Sequence, residues 1–534
     1  MLLQKRGPQG LLRRQTLRCR PFRATVLLLL LVVALAVGCT APSEWWHNGF
    51  KVGPNYRRPA FPAGEAWIDQ HEPRLQLGPE DPCHWWQVFG DPQLDVLVEY
   101  AYADNLTLRI AATRILEARA IRGVAHGNLF PQSQFATAQY QRIARSANVD
   151  TGFPGRYYDD WLVSGTLSWE LDFWGRYRRA VEAAQAELDA SVEGYDDVLV
   201  VLVADVAGAY IEYRSFQQRL ALAKNSIDLQ SGILKVAQNR FQGGETGQLD
   251  VEQAQANLAQ TRALIPELQV GLRQASNRLC VLLGRPPVDL SADLGERPMP
   301  VAPASVVVGV PGDLLRRRPD VRRAEREVAA ASARIGVAQA EFYPSVTVLG
   351  TVGVEAGTLS ELFSSGSLFG NIGPQVRWNI LNYGRLLNNL RVQDARFQNA
   401  ALTYQETMLQ ANLEAENAII AFLQAHEQVR HLQMAVDSAR RSEEIVLVQY
   451  REGVADYNRV FNIQVLVVQQ QDLLARAQRD LLLSLIEVYR SMGGGWEVRL
   501  ISDGTPGQLP HGGPLLPEEV LPPNPNTRGS AAKE

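Results

Sequence analysis

The chain has 534 residues, of which 46% are hydrophobic and 21% charged, and its formal net charge is −4. This is a globular composition that excludes global disorder. The first 38 residues hold seven basic side chains and no acid, so their removal takes the charge from −4 to −11 (−4 minus 7). A mature chain of that sign is a poor nucleic-acid binder.

The basic residues are Lys5, Arg6, Arg13, Arg14, Arg18, Arg20 and Arg23; an apolar run at 24–37 follows, then Gly38 and Cys39. A basic stretch, a short apolar stretch and a small residue before a cut make a secretory signal, here 1–38. The order Ala36-Val37-Gly38-Cys39 resembles a bacterial lipobox. That resemblance implies that Cys39 becomes the acylated first residue, and the absence of Asp at position 40 implies sorting to the outer membrane. Cys83 and Cys280 are far apart in sequence, and their spacing leaves both a disulfide and two separate thiols open.

An N-terminal arm at 39–93 leads into a chain that is written twice. Trp169-Glu-Leu-Asp-Phe-Trp-Gly-Arg176 reappears as Trp378-Asn-Ile-Leu-Asn-Tyr-Gly-Arg385, 209 positions on. The same offset relates Gly244 to Gly453, Val251 to Val460 and Gln255 to Gln464, while Phe130-Pro131 and Tyr343-Pro344 lie 213 apart. The copies run over 94–287 and 311–496, with a Pro-rich link at 288–310 and a flexible Gly/Pro-rich tail at 497–534. Each copy predicts, in order, a helical stretch (94–128 in the first), two strands, a very long helix, a glycine turn and a return helix.

The long helix carries two apolar rows at heptad spacing, one through Val181, Leu188, Tyr195, Leu202, Ala209 and Phe216. Such a pattern predicts coiled-coil packing. The strand expectations are 134–143, 162–171, 345–355 and 370–380. In the third, Val346, Val348, Val352 and Val354 share one side, with Thr347, Thr351 and Gly353 opposite. Apolar outside and small or polar inside is the pattern of a transmembrane barrel wall. Four strands cannot close a barrel, so several chains must share one. The expected fold class is mainly α with membrane β, a duplicated domain.

These residues resemble the outer-membrane efflux protein family (TolC-like), within it the OprM-like lipoprotein branch. The matching stretches are Val52-Gly-Pro-Asn-Tyr-Arg-Arg-Pro59, Trp85-Trp-Gln-Val-Phe-Gly-Asp-Pro92 and Leu314-Leu-Arg-Arg-Arg-Pro-Asp-Val321, the last continuing to Ile335-Gly336 and Phe342-Tyr-Pro344. The resemblance implies a homotrimer with one 12-stranded barrel and a long α-helical barrel in the periplasm. It also implies docking to a periplasmic adaptor and an inner-membrane pump, and passive export through the duct. A type I secretion exit channel and a periplasmic structural lipoprotein stay open as alternatives.

By the same resemblance, the turns 243–250 and 452–459 form the periplasmic tip, with Gly244 and Gly453 at its reversals. Asp250, Tyr457, Arg459 and Asn462 are then expected at or near its constriction. Relatives often carry Asp where Asn462 stands, so a strongly acidic gate is not expected here. No enzyme, cofactor or metal constellation is read: His426 and His431 are five apart, and the HExxH spacing that puts two His on one helical face needs four.

Overall fold

In a computed structural model the described residues are 42–501, without 59–65, 78–82, 147, 149–154, 310–311 and 313–315. The leader, Cys39 and the tail beyond 501 lie outside them. The chain divides into two compact units. One takes in the arm up to Asn55, His126–Ala180 and Ala333–Val392; the other holds Tyr56–Ala125, Val181–Ser332 and the rest of the chain from Gln393.

The first unit contains the four-stranded antiparallel sheet. Its strands are β2 (Ser133–Ala144), β3 (Tyr157–Leu171), β5 (Ser345–Ala356) and β6 (Leu368–Arg377), in the order β2-β3-β5-β6. The remaining strands, β1 (Leu75–Leu77) and β4 (Val306–Val308), pair parallel in the second unit. The four strand expectations hold to within two residues except at two ends. β3 starts at Tyr157 rather than 162, because the polar Tyr157-Tyr-Asp-Asp160 pairs with the end of β2, Ala144 facing Tyr157. β6 stops at Arg377 rather than 380, where the Trp378 indole N–H turns to donate to the Phe342 carbonyl at 3.0 Å.

The expected single helix at 94–128 is two: α2 (Pro92–Asp104) and α3 (Leu106–Gly127), α1 being Pro42–His47. Asn105 separates them with an extended backbone. Its side-chain oxygen accepts from the Leu108 N–H at 2.9 Å, and its amide donates to the Leu282 carbonyl at 2.8 Å. This is an N-cap, and a cap restarts a helix at a new angle.

The long helices are α4 (Arg176–Gln242) and α7 (Arg385–Arg451), each of 67 residues, about 100 Å at 1.5 Å per residue. Their return partners α5 (Gln248–Leu282) and α8 (Tyr457–Ser491) have 35 each. The remaining long element is α6 (Pro319–Ala340), 22 residues like α3. Among the described residues, no helix is long and apolar enough to cross a membrane.

The core of the second unit lies where the middles of the long helices meet the arm. Tyr195, Leu199, Val206 and Ala209 of α4 pack with Leu279 of α5, Phe422 of α7 and Leu485 of α8, and with Trp67, Trp85 and Trp86. Trp85 stacks on Tyr489 at 5.2 Å. The Arg-Arg-Pro-Asp motif closes this core: Arg318 donates to Asp320 and Glu414, each at 2.7 Å, and to the Ser491 carbonyl at 2.8 Å. Cys83 and Cys280 are both buried and no disulfide joins them, which decides between the two readings of their spacing. The segment expected to be a flexible tail from 497 starts instead with a helical turn, Val498–Ile501, because Arg499 forks onto the wholly buried Asp196 at 2.7 and 2.9 Å.

Candidate gate and membrane sheet

The two hairpin tips are built alike. α4 ends with Gly244 at φ +76°, and Glu245 N–H donates to the Arg240 carbonyl at 2.9 Å. α7 ends with Gly453 at φ +76°, and Val454 N–H donates to the Gln449 carbonyl at 2.9 Å. A left-handed residue with a bond closing over it is how a helix stops and reverses, and glycine takes that conformation without strain. α8 then starts on Asp456, which accepts from the Arg459 N–H at 3.1 Å; at the matching place α5 has Gly247 and no side-chain cap.

Behind the turns lies a small core of Ile233, Ala237, Ala254, Val446, Tyr450, Ala455, Tyr457 and Val460. Tyr457 is 1% exposed and packs edge-on against Tyr450 at 5.7 Å. Burial pushes its phenol up to about 12. Tyr457 therefore fills the tip from inside. Arg459 and Asn462 are exposed, and Asp250 is half-buried. Burial raises the Asp250 carboxyl, Arg240 pulls it down, and Asp456 adds to the rise.

Sequence reasoning missed Arg240, which joins the tips. Its guanidinium lies over the Tyr450 ring at 4.9 Å, donates to the Tyr450 carbonyl, and pairs with Glu245 at 3.1 Å. The repeat held the signal, since the matching position is Gln449: only one copy carries the cation. Further along, buried Asn257 donates to buried Gln464 at 3.0 Å between α5 and α8, and Arg219 pairs with Asp472 at 2.5 Å between α4 and α8. His426 and His431 diverge, the first edge-on to Phe422 at 4.8 Å, the second against Arg430.

The sheet carries aromatic residues towards both ends. Tyr140 and Trp161 are in contact at 4.4 Å near the β2–β3 loop, with Tyr157 and Tyr158 beyond them. Phe173 and Trp174 follow the other end of β3 and meet at 4.9 Å. Aromatic girdles at both borders of an apolar band mark a membrane wall.

The outer membrane efflux protein family model matches residues 97–285 and 310–494. The chain belongs to the outer membrane efflux protein family. Among characterised members, the toluene efflux pump outer membrane protein TtgF of Pseudomonas putida is 30% identical over 465 residues, 84% of this chain and 95% of the relative. A probable outer membrane lipoprotein of Salmonella typhimurium, SilC, is 26% identical over 471 residues, 88% and 98% of the two chains. The solved outer-membrane channel OprN superposes with a TM-score of 0.79 at 31% identity, covering 84% of this chain and 99% of that one. This member of the efflux protein family is thus an outer-membrane channel for efflux, mainly helical, with the family unit present twice.

Proposed function

We propose that three copies of this chain close one 12-stranded barrel and form the exit duct of a tripartite efflux system. The observation that carries this reading is the sheet itself. Among the described residues, β2 and β6 each have one edge without a partner strand. An open edge is not tolerated in lipid, so neighbouring copies must supply the missing ladders. The heptad rows give the same answer: their middles are buried within the chain, whereas Phe241, at the end of the second row, is exposed and awaits a neighbour.

In this reading the tips at 243–247 and 452–456 form the periplasmic mouth, closed at rest and opened by an adaptor that prefers the open state. A pump in the inner membrane supplies the energy. Small solutes are the cargo, by similarity to the toluene efflux relative. Gly244 and Gly453 make the reversals, Tyr457 fills the tip, and Asp250, Arg459 and Asn462 line its polar surface. Cys39 carries the acyl anchor.

Cross-linking in detergent tests the assembly: trimers are expected, and monomers alone would refute it. In planar bilayers the wild type should conduct weakly. Arg240→Ala, which removes the bond to the Tyr450 carbonyl and the Glu245 pair, should raise single-channel conductance several-fold and admit bulky antibiotics to cells. An unchanged conductance would place the constriction elsewhere. Separately, Cys39→Ala should abolish labelling with palmitate while the barrel still inserts, because one acyl chain adds little to an embedded wall.

A further inference from the structure

The Pro-rich link at 288–310 is pinned at both ends. At its start the Leu294 carbonyl accepts from Arg214 at 2.9 Å, and the Gly295 carbonyl accepts from Arg214 at 2.8 Å and from Gln217 at 3.0 Å. Near its end, Val306–Val308 pair with Leu75–Leu77 of the arm. Between these ties, 296–303 runs without helix or strand and leaves an open groove of about 1010 Å³ against the helices. Met299 and Pro300 of the link, Leu220 of α4, Val429 of α7 and Leu481 of α8 line it. The groove is thus preformed and mostly apolar, as binding sites for a ligand or segment are.

Two features of the groove call for an occupant. His426 also lines it, and its Nε2 is buried with no hydrogen-bond partner among the described residues. Burial, with Arg74 nearby, lowers the imidazole pKa, so the ring is neutral and can bond a peptide group. A buried polar atom of this kind needs a partner. Charge is the second feature. Lys224 and Arg297 line the groove, and Glu296 is the only carboxylate among its lining residues. Arg297 also reaches Asp91 at 3.7 Å, whereas Lys224 is exposed. Such a groove suits an extended peptide that carries aliphatic and acidic side chains.

The chain itself carries such a segment beyond Ile501. Pro514-Leu-Leu-Pro-Glu-Glu-Val-Leu-Pro-Pro523 joins Leu515, Leu516, Val520 and Leu521 to Glu518 and Glu519, and no Lys or Arg occurs from Ser502 to Thr527. Proline favours an extended chain and lowers the entropy lost on docking. The root of the tail is fixed in the same compact unit as the groove, through Arg499 on Asp196 of α4. Leu220 lies about 36 Å further along α4 at 1.5 Å per residue. The chain from Arg499 to Pro514 can span about 50 Å, so the segment reaches the groove. The repeat points the same way. The link follows the first return helix, and the tail follows the second at the matching place. Met299 and Val308 of the link are buried, so in the first copy the chain leaving a return helix packs back on the unit.

We propose that residues 514–523 lie in this groove as a strap, with Leu515, Leu516 and Leu521 on its apolar lining and Glu518 and Glu519 against Lys224 and Arg297. A peptide group of the strap supplies the partner of His426. The strap ties the end of the second copy to the link between the copies, and so clasps the middle of the helical unit. It goes beyond the duct reading and does not require three copies.

Acetylation of Lys224 by a water-soluble N-hydroxysuccinimide ester, read by mass spectrometry on the full-length protein in detergent, tests the strap. Lys224 should react several-fold more slowly in the full chain than in a chain ending at Ile501. Lys235, exposed on α4 outside the groove, should react alike in both. In the full-length chain, the double substitution Leu515→Asp with Leu516→Asp should bring Lys224 to the rate of the shortened chain, which keeps the test independent of any effect of truncation on folding. A synthetic peptide of residues 510–525 should restore the protection of Lys224 in the shortened chain. Equal Lys224 rates in the full-length, shortened and doubly substituted proteins would overturn the strap. A uniformly slow rate would assign the groove to a neighbouring copy or another partner, and a uniformly fast rate would leave it open.

Discussion

Arg214→Leu is expected to destabilise the helical unit by about 1–3 kcal/mol for each buried acceptor it leaves unpaired. Arg214 is fully buried. Its Nε–H donates to the Tyr210 hydroxyl at 3.0 Å, and its two amino groups donate to the Gln217 side chain at 2.7 Å, the Gly295 carbonyl at 2.8 Å, the Leu294 carbonyl at 2.9 Å and the Gln93 side chain. Tyr210 passes the link on by donating to the Asp91 carboxylate, which also caps α2 through the Gln93 N–H at 3.0 Å. One guanidinium thus joins α4, the start of α2 and the linker between the copies. Leucine has similar bulk and no donors, so the Leu294 carbonyl would lose its side-chain donor, at about 1–3 kcal/mol, while the Gly295 carbonyl would keep only the Gln217 amide at 3.0 Å. Leucine is also what the second copy carries at the matching position, Leu423. Loss of helical circular dichroism at a melting midpoint several degrees lower, with faster proteolysis within 288–310, is the expected readout. An unchanged midpoint would mean that water or Gln217 satisfies those carbonyls.

The helical frame was legible because the duplication is nearly exact in length. The 209-residue offset holds from Arg176 to Arg385 and from Gln242 to Arg451 at the two ends of the long helices, and from Gln248 to Tyr457 and Leu282 to Ser491 in the return helices. Offsets of 213 relate both ends of α3 and α6. Apolar periodicity and glycine punctuation are local signals, and they survive in a single sequence. What stayed hidden depends on partners far along the chain. Tyr157 reads as loop until Ala144 pairs with it. Asn105 reads as one polar residue in a helix until the Leu282 carbonyl draws its side chain inward. Tyr457 reads as a lining residue at a turn, but Tyr450 and Val460 bury it. Arg240 and Arg214 stand where the second copy has Gln449 and Leu423, so they show only when the copies are compared for differences rather than for likeness.

Gly53→Ala should release the N-terminal arm from its seat while leaving the sheet folded. Gly53 has φ +88°, and a Cβ there would overlap the Gly336 Cα and lie 3.0 Å from the Gly336 nitrogen. Both obstacles are backbone, which cannot rotate away as a side chain can. Around them Arg179, 3% exposed, donates to the Val52 carbonyl at 3.0 Å, the Gly53 carbonyl at 2.9 Å and the Asn55 side chain at 3.0 Å. A Cβ on Gly336 would meet this same arginine at 2.9 Å. The Val-Gly-Pro-Asn and Ile-Gly stretches that carried the family resemblance are therefore two sides of one contact. Strain at a left-handed residue alone costs about 1–3 kcal/mol. Gly49→Ala isolates that term, because Gly49 has φ +64° and nothing within 4 Å of its Cβ position. The double obstacle at Gly53 adds overlap and strips a buried guanidinium of its carbonyls, so its effect should be the larger by a clear margin. Limited trypsin digestion of the reconstituted protein measures it. Cleavage after Lys51 and Arg57 should be strongly accelerated in Gly53→Ala and little changed in Gly49→Ala, with heat-modifiable migration on gels retained in both. Equal cleavage of the two variants would mean that handedness alone, and not the approach to Gly336, holds the arm in place.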